Sequence, residues 1–119
     1  MADLKRNMIE LVTDVKEGEI ITQTYWTSPF LPMKVVLEAN DIAAQIDKLE
    51  TDDIEQQKET FDQLSSFVAD VLYNKQFTKQ ELQDGLHAPQ ALNALYDQII
   101  FITRGKQSDE TKKFLEKKS

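Results

Sequence analysis

The segment SPFLP, residues 28–32, divides the chain into two parts with different hydrophobic periodicities. Each proline lacks a backbone N–H donor and disfavours the α conformation in the residue before it, so a regular element is expected to stop here. Before this segment, residues 19–26 are rich in β-branched and aromatic side chains, and Lys16-Glu17-Gly18 is typical of a turn. Together with the apolar-rich residues 8–13, they predict an N-terminal β-hairpin.

After the prolines, the spacing of apolar residues becomes helical. One apolar stripe runs to Glu50, a second from Ile54 to Leu72, and a third from Leu92 to Ile102, each at about 100° per residue. Because two strands alone are marginal in water, the hairpin must pack on these helices or on another subunit. The sequence therefore predicts a mainly α, α+β fold, with a short N-terminal β-hairpin packed on three to four helices.

The stretch QFTKQELQDGL has a well-formed helix start, little room for a helix and a glycine stop. Thr78 and Glu81 fit a capping box, in which each side chain reaches a backbone N–H at the helix start. Phe77 and the leucine four residues after the cap occupy the staple positions, and Gly85 is expected to adopt a left-handed conformation. Pro89 suits the first position of the next helix. These residues predict a structural corner between helices.

The sequence offers few groups for catalysis. It has no cysteine, its three glycines are isolated, and its one histidine, His87, lies between a glycine stop and a proline start, which is typical of a loop or a helix cap. The densest acidic cluster, Asp52, Asp53 and Glu55, lacks the ligand spacing of a calcium loop and suits a helix N-terminus. We therefore expect no enzyme activity, no cofactor and no metal.

The charge is unevenly distributed. The chain carries −7 in total, whereas residues 104–119 contain six basic and three acidic residues, a net charge of +3 that leaves −10 for residues 1–103. An acidic body repels phosphate backbones, and no apolar run approaches the roughly 20 residues that span a bilayer, so neither nucleic acid nor a membrane is an expected partner.

The expected organisation is one domain over residues 1–105, followed by a polar, flexible tail over 106–119 that is dispensable for folding.

Aromatic residues around the prolines are the candidates for protein binding. Tyr25, Trp26, Phe30 and Leu31 lie close together in the sequence, either covering the hairpin and core or forming an exposed patch for a partner. Phe101 lies on the opposite side of its helix from the apolar stripe, so it is either covered by another element or part of an interface.

The segment FVADVLYNKQFTKQELQDGLHAPQALNALYDQI, residues 67–99, resembles the tail assembly chaperone family of long-tailed bacteriophages that infect Gram-positive bacteria. The resemblance extends over about residues 20–103, because a β segment and PFLP also precede a long helix. Tyr73-Asn74-Lys75 departs from the pattern, since a glycine is common there. The matching residues are Phe67, Val68, Val71, Asn74, Gln76, Phe77, Thr78, Leu82, Gly85, Leu86, Leu92 and Leu95.

The resemblance implies a non-enzymatic chaperone that binds and solubilises the tape measure protein and helps to recruit the tail tube protein. Such a protein acts in the host cell cytoplasm and is absent from the mature virion. The sequence leaves open whether the chain forms a homo-oligomer. The alternative function is a small acidic helical adaptor or regulator, of the antitoxin or anti-repressor type, that binds one protein partner.

Overall fold

The computed structural model describes residues 5–50 and 52–118. Its elements are the strands β1 (Met8–Lys16) and β2 (Glu19–Trp26) and the helices α1 (Lys34–Asp47), α2 (Ile54–Ser66), α3 (Lys79–Gly85), α4 (Ala88–Arg104) and α5 (Asp109–Lys118). This arrangement confirms the predicted α+β fold with an N-terminal hairpin. The described part of the chain has five α-helices, one or two more than the sequence indicated.

The two strands form an antiparallel hairpin in which Met8 lies opposite Trp26. Glu17 and Gly18 have φ values of 51° and 83°, and positive φ at both central residues is typical of the tight hairpin turn that fits twisted strands. The base of the hairpin is buried through Ile9 and Leu11, whereas its tip is exposed. The hairpin is thus anchored at one end.

The core lies where the base of the hairpin meets α1 to α4. Its buried apolar side chains are Ile9, Leu11, Val35, Ala39, Leu64, Phe67, Val68, Ala69, Leu72, Tyr73, Phe77, Leu82, Leu95 and Ile99. The longest helix, α4, has 17 residues, and no described helix is both long and apolar enough to cross a membrane.

Helix α2 begins at the acidic cluster and is followed directly by a π-helical segment. The Asp53 side chain accepts a hydrogen bond from Gln56 N at 3.0 Å, so this carboxylate caps the helix. After α2 the chain continues as a π-helical segment, Phe67–Leu72. Asn74 and Lys75 then adopt left-handed φ values of 50° and 61°, which reverse the chain before α3. Tyr73-Asn74-Lys75, the segment that departs from the family pattern, thus includes a left-handed turn that forms without glycine.

The corner before α3 contains the capping box. Thr78 Oγ1 accepts a hydrogen bond from Glu81 N, and Glu81 Oε1 accepts one from Thr78 N, both at 3.0 Å. Phe77 and Leu82, the two staple residues, are buried, and Pro89 lies in the first turn of α4. These contacts fix the direction in which the chain enters α3.

Gly85 has a different role from the one expected. It is the last residue of α3 and is not left-handed, so the prediction of a positive φ is wrong. A Cβ atom at this position would lie 2.9 Å from Leu11 Cβ and 3.0 Å from Val12 O. The glycine is required because α3 approaches β1 more closely than a side chain permits. In contrast, Gly105 does end its helix in the left-handed conformation, with φ 67°.

Loss of the helix cap should have a measurable cost. Replacement of Thr78 by alanine removes the side-chain acceptor of Glu81 N, and we expect the free energy of unfolding to fall by about 1 kcal/mol. Thr78→Ser keeps the oxygen and should unfold close to the parent in urea. Equal losses in the two variants would show that the threonine methyl group, rather than the cap, stabilises the corner.

In place of the polar, flexible tail expected over residues 106–119, the structure has α5 packed on the hairpin. Asn7 Oδ1 accepts hydrogen bonds from Ser108 N at 2.9 Å and from Thr111 Oγ1 at 2.7 Å. The rings of Trp26 and Phe114 lie 5.5 Å apart, edge to face. The helix is held mainly by polar side chains and one aromatic contact, and hydrophobic periodicity does not detect such an anchor.

Candidate interaction surfaces

Three exposed large apolar side chains of the described residues lie near the prolines and at the start of α1. Phe30, Met33 and Leu37 are 67%, 82% and 61% exposed. Met33 and Leu37 are one helical turn apart, and Phe30 precedes them in the loop that enters the helix. We call these three side chains the α1 surface.

A cavity of about 240 Å³ adjoins the α1 surface. Phe30, Leu31 and Val36 line it on the side of the loop and α1, and Phe101 and Ile102 line it on the side of α4. These apolar side chains suit contact with an apolar side chain of a partner, and Lys5 and Ser28 add polar groups to the same lining.

The five candidates for protein binding, four aromatic residues and one leucine, do not form a single site in the structure. Phe30 is exposed and Leu31 is half-buried, whereas Phe101 is only 6% exposed and therefore belongs to the covered alternative. Tyr25 is half-buried with its ring 4.8 Å from that of Phe77, and Trp26 is half-buried against α5. Phe30, Leu31 and Phe101 share one cavity, but Tyr25 and Trp26 do not line it.

A second apolar surface lies between α2, α3 and α4 and includes residues of the second and third apolar stripes. We call this cavity of about 360 Å³ the α2–α4 groove. Leu92 is 49% exposed at its edge, and Phe61 is half-buried in its wall. The lining residues are Phe61, Ser65, Leu82, Gln83, Leu86, Ala88, Ala91, Leu92 and Leu95. The sequence carries no separate signal for this surface, because Phe61 and Leu92 lie in the same apolar stripes as the buried Leu64 and Leu95.

The tip of the hairpin exposes a third group of apolar side chains. Val15 and Ile20 lie opposite each other and are 63% and 66% exposed, and Ile21 is 41% exposed. The tip is too narrow to form a cavity, so it offers a small apolar ridge.

The single histidine lines a cavity of about 350 Å³ between β1, α4 and α5, whose lining combines polar and apolar side chains. His87 is exposed, and Ser108 Oγ in the same cavity lies 2.8 Å from Thr111 Oγ1, within the anchor of α5. Burial of the Asp97 carboxyl group raises its pKa above the usual range, and the nearby carboxylate of Asp109 raises it further. In the described part of the chain, no group of three or more His, Cys, Asp or Glu side chains is placed to hold a metal ion.

The fold and its surfaces define a small α+β protein whose exposed apolar side chains suit contacts with other proteins. The model of the phage tail chaperone protein family matches residues 3–119, nearly the whole chain, and the chain belongs to this family. The resemblance seen in the sequence is thereby confirmed, and the chain has a role in tail assembly. Comparison with curated proteins and with solved structures found no match.

Proposed function

We propose that this chain is a non-enzymatic tail assembly chaperone that binds the tape measure protein, keeps it soluble and helps to recruit tail tube subunits. In this role it acts in the host cell cytoplasm and leaves before the virion is complete. The observation that carries the proposal is the α1 surface, because a family member involved in tail assembly exposes three large apolar side chains together.

Exposed apolar side chains gain free energy when a partner covers them, by about 25 cal/mol for each Å² removed from water. Phe30 and Met33 are more than half exposed, so most of their surface is available for binding. A helical client could lay its apolar face on Met33 and Leu37 and place one side chain in the adjoining cavity of about 240 Å³. The α1 surface therefore suits an apolar helical segment, of the kind that needs protection from aggregation.

Family membership favours this chaperone function over the adaptor or regulator considered from the sequence. The two functions differ in stoichiometry, since a chaperone for a long client binds it in many copies, whereas an adaptor binds its partner one to one. Light scattering of the purified complex with the tape measure protein should therefore give several copies of this chain for each client.

Replacement of Phe30 by serine should weaken capture of the tape measure protein while the chaperone stays folded. The side chain is 67% exposed, so its loss removes binding surface without opening the core. We expect about a tenfold loss of affinity, measured by titration of a soluble tape measure segment, with an unchanged far-ultraviolet circular dichroism spectrum.

Ile20→Ser is the matched control for this experiment, because Ile20 is 66% exposed and lies on the hairpin tip, away from the α1 surface. It should bind like the parent. Equal loss of affinity in both variants would contradict a specific role for the α1 surface.

A further inference from the structure

The outer edge of β2 has no backbone partner within residues 5–50 and 52–118. The sheet there contains two strands, and β2 pairs with β1 alone. The other edge of β1 is covered, because Met8 N donates to Thr111 Oγ1, Met8 O accepts from Gln98 Nε2, and α3 lies against the middle of the strand. The hairpin thus has one open edge, and it belongs to β2.

The backbone groups on this edge are those of Ile20, Thr22 and Thr24. Along an antiparallel strand, residues that exchange hydrogen bonds with the neighbouring strand alternate with residues that point their N–H and C=O groups away from it. Thr27 N donates to Asn7 O at 2.9 Å, so every second residue from Thr27 back to the turn is bonded to β1. The residues between them direct their N–H and C=O groups outward.

The position of Trp26 agrees with this alternation. It belongs to the outward set, and its carbonyl oxygen accepts a hydrogen bond from Gln76 Nε2 at 2.7 Å. The base of the edge is therefore occupied by a side chain of the same chain. Ile20 and Thr22, nearer the turn, are exposed.

The edge lacks the features by which proteins prevent their edge strands from pairing. Those features are charged side chains, prolines and bulges on the edge strand. Residues 20–26 read IITQTYW, with no charged residue, proline or glycine, and the irregularity in the hairpin register inserts its extra residue in β1. β-branched and aromatic side chains also favour the strand conformation. An open, neutral edge of this kind is a template for a further strand.

We propose that the open edge of β2 pairs with the same edge of a second copy of this chain, antiparallel and with Thr22 on the two-fold axis. In this register Thr22 faces Thr22, and Ile20 of each copy faces Thr24 of the other. These three pairs exchange about six backbone hydrogen bonds, two for each pair. The two hairpins then form one four-stranded sheet, which is more stable than two strands alone.

The charge of the hairpin favours a second copy as the occupant of this edge. The chain carries −7, so two copies repel each other over much of their surface. In the proposed register the one charged residue of β2, Glu19, faces the neutral Tyr25 of the other copy. No carboxylate of β2 therefore lies opposite another carboxylate, a pairing that would be destabilising.

The strand that a second copy offers is already formed. An extended segment of another protein loses conformational freedom when it pairs, whereas β2 is held by β1 and by the turn at Glu17 and Gly18. Pairing also covers part of the apolar tip, where Ile20 and Ile21 are 66% and 41% exposed. Because only residues 20–24 of each strand meet, the interface is small, and we expect the dimer to dissociate at micromolar concentrations.

The chain contains no cysteine, so single cysteine variants test the register directly. In a dimer of Thr22→Cys the two Cα atoms would lie about 5.5 Å apart, a distance that a disulfide spans. Thr13→Cys is the matched control, because Thr13 is also exposed but lies on β1, where the two copies would be about 14 Å apart across three strand spacings.

Mild oxidation followed by a non-reducing gel should convert most of Thr22→Cys to a covalent dimer and leave most of Thr13→Cys monomeric. Equal crosslinking of the two variants would overturn the proposal. A Thr22→Cys chain that stays monomeric would also overturn it, whether or not the parent associates by another surface.

A second pair of variants tests the backbone donor itself. Thr22→Pro and Thr22→Val both lose the hydroxyl group that donates to Glu10 Oε1 at 2.7 Å, but only proline removes the outward N–H, which the hairpin does not use. Sedimentation from about 5 to 500 µM should show a dimer of the parent and of Thr22→Val. We expect the dimer of Thr22→Pro to be at least about tenfold weaker, with an unchanged circular dichroism spectrum.

Equal dimerisation of the proline and valine variants, or a parent that is monomeric over the whole range, would contradict the pairing. If the proline variant is unfolded, the crosslinking result decides. The pairing goes beyond the proposed function and fails separately from it. A monomeric parent that still captures the tape measure protein removes the pairing alone, and a crosslinked Thr22→Cys dimer that captures no tape measure protein removes the function alone.

Discussion

Replacement of Gly85 by valine should lower the free energy of unfolding by about 3 kcal/mol, the largest effect that we expect from any single substitution discussed for this chain. The Cβ atom alone would lie 2.9 Å from Leu11 Cβ and 3.0 Å from Val12 O, closer than such atoms pack. Val12 O belongs to the backbone of β1, so relief requires α3 to move away from the hairpin. Leu82, which is fully buried on α3, would move with it. Urea unfolding followed by circular dichroism measures the loss.

Gly105→Ala is the control that separates crowding from backbone strain. A Cβ at Gly105 meets no atom within 4 Å, but its φ of 67° is left-handed, so alanine should cost only about 1 kcal/mol. If Gly85→Val unfolds at the same urea concentration as Gly105→Ala, then α3 adjusts freely and the close approach to β1 is not required.

Truncation after Gly105 should also lower the free energy of unfolding by about 3 kcal/mol, the sum of several lost hydrogen bonds and an aromatic contact. Asn7 Oδ1 would lose Ser108 N and Thr111 Oγ1, and Met8 N would lose its acceptor, Thr111 Oγ1, at 3.0 Å. Asn7 and Met8 are both buried in the full chain. Trp26 would lose the ring of Phe114. Thermal and urea unfolding of the truncated chain test this result.

Thr111→Val isolates the polar part of the α5 anchor, because it removes the hydroxyl group that donates to Asn7 and accepts from Met8 N. It should account for about half of the truncation effect, since the aromatic contact is kept. A truncated chain as stable as the parent would show that α5 adds nothing to the fold and would restore the expectation of a dispensable tail.

Features set by neighbouring residues could be predicted from the sequence. The hairpin turn at Glu17 and Gly18 and the capping box of Thr78 and Glu81 depend on residues within four positions of one another. The sequence contains the whole of the information for such features. The order of the elements and the fold class follow from them and from the change of period at SPFLP.

Features set by distant residues could not be predicted in the same way. The crowding at Gly85 comes from Leu11, more than seventy positions away, and the anchor of α5 joins Asn7 to Thr111 across 104 positions. Leu92 begins the third apolar stripe, yet it is 49% exposed, because the period of a helix does not show whether another element covers its apolar face. Phe101 lies off the apolar stripe and is nevertheless buried, because the loop after β2 covers the far side of α4.

Co-expression with the tape measure protein of the same phage tests the central claim most directly. The fraction of full-length tape measure protein in the soluble lysate is measured with the parent chain, with Phe30→Ser and without any chaperone. The account predicts that the parent keeps most of the tape measure protein soluble and co-purifies with it, and that Phe30→Ser, although folded, keeps much less. A tape measure protein that is equally insoluble with and without the parent chain would contradict the proposed function.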